Sequence, residues 1–169
     1  MPYRLGLALA LAGPEVFLSP LPQSVVQPGS LPVIAKGAGE LRLNGKPVTA
    51  STPSPGVVHA KVEVGPGRHV LSLGEHRIEF AAGQAQEGWK PFRAHPPAAQ
   101  CAACHTPQTW EPRGAEACFA CHNAEPFAKV HTHNAEVLAE CHLCHMPHGS
   151  TAKAHLKMAK ETACKQCHG

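Results

Sequence analysis

CAACH at residues 101–105, CFACH at 118–122, CHLCH at 141–145 and CKQCH at 164–168 are four copies of one pattern, Cys-x-x-Cys-His, and together they use all eight cysteines of the chain. Two thiols three residues apart, followed at once by an imidazole, form the pattern by which a porphyrin is bound covalently. On that reading Cys101, Cys104, Cys118, Cys121, Cys141, Cys144, Cys164 and Cys167 become thioethers, and His105, His122, His145 and His168 become proximal iron ligands. Four covalently attached haem c groups are expected. His makes up 13 of the 169 residues. Chance placement of His behind all four pairs therefore has a probability of about one in 29,000. Two zinc sites of four thiolates each would explain the pairing of cysteines but not the His that follows each pair. A disulfide framework leaves the same His residues idle.

Composition divides the chain near residue 86. Residues 13–86 contain no cysteine and only His59, His69 and His76, whereas residues 87–169 hold all eight Cys and the other ten His. The second segment gives each haem roughly 20 residues, too few for an ordinary apolar core, so the porphyrins themselves must be the core. Little regular secondary structure is expected there beyond short helices, and folding should require haem, as in small metallo-domains. The formal charge of +3 describes the chain alone. Four ferric haems with their propionates bring it to about −1, which argues against nucleic acid as a partner. Lys129, Lys153, Lys157, Lys160 and Lys165 are read as propionate partners or a solvated face.

Residues 13–86 alternate as strands do. Leu41 and Leu43, then Val58, Ala60, Val62 and Val64, then Ile78 and Phe80 point one way along three segments, with Asn44-Gly45 and Gly65-Pro66-Gly67 as turns. With residues 15–18, 32–35, 46–50 and 68–73, about seven short strands emerge, which suits a small β-sandwich. Residues 41–46 and 57–73 resemble bacterial immunoglobulin-like modules. Such modules carry no chemistry of their own, so adhesion, spacing or subunit contact is the role implied. His59, His69 and His76 are read as surface or edge side chains. Residues 1–12 read either as a signal peptide, with an A-x-A site at Ala10-Leu11-Ala12, or as a first strand in which Leu5, Leu7, Leu9 and Leu11 alternate with small residues. The apolar run is too short to span a bilayer.

Each electron-carrying haem needs a second axial ligand, and His95, His131, His133, His142, His148 and His155 remain, with Met146 and Met158 as thioether alternatives. Supply exceeds demand, which favours two His per iron. Residues 133–169 resemble the doubled CxxCH family of multihaem cytochromes: an upstream His, then CHLCHMPHGS at 141–150, a spacer bearing Leu156, and CKQCH. The resemblance makes His148 of the Pro-His-Gly segment a distal ligand, and His133 or His131 another. It also implies export, since c-type attachment in bacteria and archaea takes place outside the cytoplasm. Residues 95–122 look like a degenerate copy in which His95 precedes Cys101 but Thr106-Pro107-Gln108 stands where Met146-Pro147-His148 stands, so the first pair lacks a ligand of its own. His131 or His133 is expected to fill that vacancy, and His155, which precedes Cys164, is the fifth candidate. His142, inside its own motif, is expected to face solvent.

Bis-His iron has no open position, so the leading expectation is an extracytoplasmic electron carrier and not an enzyme, with redox proteins or extracellular acceptors as partners. A sharper form stacks subunits into a homo-oligomeric conductive filament. The rival reading is a multihaem reductase with one open iron, suggested by Gln108. A third makes the β-module a tether to a mineral, cell wall or partner.

Overall fold

The computed structural model describes residues 16–84, 86–96, 100–122, 133 and 135–168. Residues 1–12, read from sequence as a signal peptide or first strand, lie outside them, as does His131. The described chain is mostly β-strand with a few short helices.

A four-stranded sheet runs β1 (Phe17–Ser19), β3 (Gly29–Lys36), β7 (Val57–Val64), β6 (Ser51–Ser54). A six-stranded sheet runs β10 (Lys90–Pro91), β2 (Ser24–Val26), β9 (His76–Ala82), β8 (Gly67–Leu73), β4 (Leu41–Leu43), β5 (Lys46–Pro47). Alternation decides which face each strand buries. Along β7, Val58, Ala60, Val62 and Val64 are buried; along β3, Leu31, Val33 and Ala35 are. They meet Leu41, Leu71, Leu73 and Phe80 of the other sheet in one apolar cluster, with Ile78 and Leu43 packed at its margin. Asn44 and Gly45 both have positive φ, 52° and 79°, the geometry of the tight hairpin turn that the Asn-Gly pair favours. Asn44 also accepts from the Val70 amide through Oδ1 and donates from Nδ2 to His69 Nδ1, while His69 Nε2 donates to the Gly65 carbonyl. His69, read as a surface or edge side chain, also braces two turns and stacks on Phe80 with ring centroids 5.3 Å apart.

The ladder runs on past residue 86. β2 pairs in parallel with both β9 and β10, and the Phe92 amide donates to Val25 O at 2.7 Å, seating the Phe92 side chain in the apolar cluster. The next residues form β11 (Arg93–Ala94), which pairs antiparallel with β12 (Gly149–Ser150). The helices of this segment are α1 (Cys101–Cys104), α2 (Ala115–Phe119), α3 (Ala135–Ala139) and α4 (Lys160–Cys164). No described helix is long and apolar enough to cross a membrane.

Candidate haem-binding site

All four motifs fold into the same turn. The His amide donates to the carbonyl of the motif's first Cys in each copy: His105 to Cys101 at 2.9 Å, His122 to Cys118 at 2.9 Å, His145 to Cys141 at 3.0 Å and His168 to Cys164 at 3.0 Å. One helical turn brings residues i, i+3 and i+4 to one face, so both thiols and the imidazole of each copy point the same way. That is the arrangement covalent porphyrin attachment needs. All eight cysteines are free thiols. Cys118 stands close to Cys141 and Cys104; burial first, then the Cys141 thiol, pushes it up to about 11. Among the described residues no group of three or more His, Cys, Asp or Glu is gathered to hold a bare metal ion.

Behind the first motif of each pair the chain makes the same hairpin. Thr106 N donates to Glu111 O and Arg113 N to Cys104 O in the first; Met146 N donates to His155 O and Lys157 N to Cys144 O in the second. Each hairpin closes on a bridge, His105 to Pro112 and His145 to Leu156. The second hairpin has two consecutive left-handed residues, Ala154 at φ 55° and His155 at φ 53°, and at the matching place each hairpin turns through one, Trp110 at φ 58° or Ala154. The carbonyl of that residue receives the proximal ring: His105 Nδ1 lies 2.9 Å from Trp110 O, and His145 Nδ1 lies 2.8 Å from Ala154 O. A carbonyl can only accept, so Nδ1 carries the proton and Nε2 keeps its lone pair, the tautomer an iron ligand requires. Nothing in the sequence signals Trp110 or Ala154, because neither residue type favours that backbone region.

The two hairpins differ in length. Trp110 lies four residues after Thr106, whereas Ala154 lies eight after Met146. The added residues carry His148 and β12 out to β11, while Gln108 sits exposed in the shorter hairpin.

Second imidazoles stand near three proximal ones. His105 and His148 lie parallel within 3°, centroids 6.0 Å apart; His122 and His95 are 5.9 Å apart; His168 and His133 are 5.9 Å apart. Metal–imidazole bonds of about 2.0–2.1 Å on opposite sides of one ion put ring centroids roughly 6 Å apart, so these spacings fit. Among the described residues no second ring stands so near His145. His155 faces His95 edge-on at 5.4 Å, and its Nδ1 is buried without a hydrogen-bond partner. Burial, followed by the charges of His105, Lys36 and His95, pushes His148 down to about 4. Burial, then His155 and His122, lowers His95, and burial, then Arg93, His145 and His122, lowers His155. The same direction in all three favours the neutral ring, the form that offers a lone pair to a metal. His142 is exposed, with Nδ1 3.3 Å from Glu140. Lys153, Lys157, Lys160 and Lys165 are exposed, Lys129 lies outside the described residues, and Met146 and Met158 are half-buried.

Among its described residues the segment gathers no apolar core of its own. Past Ala94, the buried hydrophobic residues among those described are Ala117 and Ala163. So small an interior fits a polypeptide shell around large apolar groups.

Residues 133–169 match the family model described as the doubled CXXCH motif. No curated protein and no solved structure matches the chain. The second pair of motifs is thus a doubled CXXCH unit, which points to the multihaem c-type cytochromes and to covalent haem c as the bound group.

Proposed function

We propose that the protein is an exported tetrahaem c-type cytochrome that transfers electrons through closely spaced bis-His haems. The pairing of proximal with second imidazoles, at 5.9–6.0 Å in three places, carries the reading. Bound haem c supplies one-electron exchange between ferric and ferrous iron. The chain supplies the rest. Each Cys pair would hold a porphyrin edge, the carbonyls of Trp110 and Ala154 fix the proximal rings of His105 and His145, and His95, His133 and His148 would supply the second imidazoles. Two imidazoles per iron leave no position for a substrate, so the protein is a carrier and not an enzyme. His131 and His155 remain the sequence candidates for the fourth iron.

The reductase alternative drew on Gln108, and the closeness of His148 to His105 weighs against an open iron there. The two-sheet module is read as an immunoglobulin-like β-sandwich that spaces and braces the haem segment, and assembly into a filament is the sharper form of the proposal. Intact mass and electron paramagnetic resonance of the exported holo-protein test it: four haem increments and purely low-spin ferric signals are expected. A high-spin signal in the wild-type chain would favour the reductase, and native electron microscopy showing dispersed monomers alone would exclude the filament.

A further inference from the structure

We infer that the β11–β12 ladder is one ligand platform serving both irons of the first motif pair, with His148 opposite His105 and His95 opposite His122. The inference rests on the four-haem reading above and adds which His serves which motif.

Register makes the platform. Ala94 pairs with Gly149, so the next residues outward, His95 and His148, face each other, and the His95 amide points to the His148 carbonyl at 3.4 Å. Their rings then reach two different motifs, both in the first pair, at 5.9 and 6.0 Å. The two strands come from opposite sides of that pair in sequence. β11 follows directly from Phe92 in the β-module core; β12 belongs to the longer hairpin of the second pair. The Pro-His-Gly segment therefore does not close an iron of its own pair. The vacancy left by Gln108 is filled by the neighbouring unit.

The platform is clamped from both ends. Gly149 has φ +140°, and a Cβ there would run into the Phe92 ring and lie 2.7 Å from the Arg93 carbonyl. Only a glycine lets β12 approach β11 this closely. Arg93 donates from its guanidinium to Ala152 O at 3.3 Å, and Ser150 Oγ donates to Leu156 O while accepting from the Ala152 amide at 2.9 Å. These contacts hold His148 by its backbone, where a surface loop would leave it adrift.

H148A is read in two backgrounds, the wild-type holo-protein and a C101A/C104A chain that carries three haems. In the wild-type background one haem of four is expected to turn high-spin in electron paramagnetic resonance. In the C101A/C104A background H148A should leave all three haems low-spin, because the iron it closes is already gone. A high-spin signal in that background overturns the assignment and leaves the electron-transfer reading standing; no haem increment in the wild-type mass overturns both. Should C101A/C104A fail to fold, H148M in the four-haem chain carries the test. In the reduced protein the introduced methyl should show NMR contacts to the haem bearing the Cys101 and Cys104 thioethers. Contacts to a haem of the second pair overturn the assignment.

Discussion

The two segments of this chain hide apolar surface in opposite ways. Residues 17–92 bury Val, Leu and Phe side chains against one another between two sheets, and Phe80, Leu71, Leu73 and Val33 are fully shielded. The segment beyond Ala94 buries two alanines among its described residues and gathers imidazoles and thiols instead. One has a complete interior written in its own side chains; the other has the walls of one. Stability in the first should depend on side-chain volume, and in the second on what the cysteines hold.

The largest expected effect is loss of haem. A chain with all eight Cys replaced by Ala should lose amide protection throughout residues 93–168 in hydrogen exchange, while β3, β7, β8 and β9 keep theirs. Equal loss in both segments would mean that they fold as one unit. Next, Phe80→Ala should destabilise the two-sheet module by about 3–5 kcal/mol in denaturant unfolding, without changing the haem count in the intact mass. Phe92→Ala should reach both segments, with a similar loss in the module plus a high-spin haem, because the ring also backs Gly149. Asn44→Ala removes two side-chain hydrogen bonds at the β4–β5 turn and should lower stability by about 1–2 kcal/mol, confined to the module. At the small end, Ala154→Gly relieves a left-handed residue and should raise the thermal midpoint slightly, a gain of about 1 kcal/mol at most. A fall would show that the methyl group is needed in the hairpin.

What could be read in advance follows from how local each feature is. β7, β8 and β9 and the Asn-Gly turn are legible because alternation and turn chemistry lie within a few adjacent residues. β2 and β10 are not: each is two or three residues long, and they become strands by parallel pairing with partners far along the chain. β6 carries Ser51 and Ser54 where an apolar alternation would have marked it. In the site, the turn shared by the four motifs is local, and so was visible. The partner rings are not, because no spacing rule says that His148 stands beside His105 and not beside His145 or His168. Comparison of Thr106-Pro107-Gln108 with Met146-Pro147-His148 suggests a lost ligand; the hairpins show an excursion that the shorter one lacks.

The neighbourhood of His105 and His148 has a consequence in time. Each motif completes its turn within five residues, whereas the second ring near His105 comes from a hairpin on the far side of two further motifs. Long-range closure waits for the chain between to be present and compact. For a polypeptide emerging amino terminus first, the first motif to appear is therefore not the first to be finished. On the proposed pairing His95 and His133 precede the motifs they face and only His148 follows its own, so a chain cut short before β12 should leave the first motif alone without its second ring.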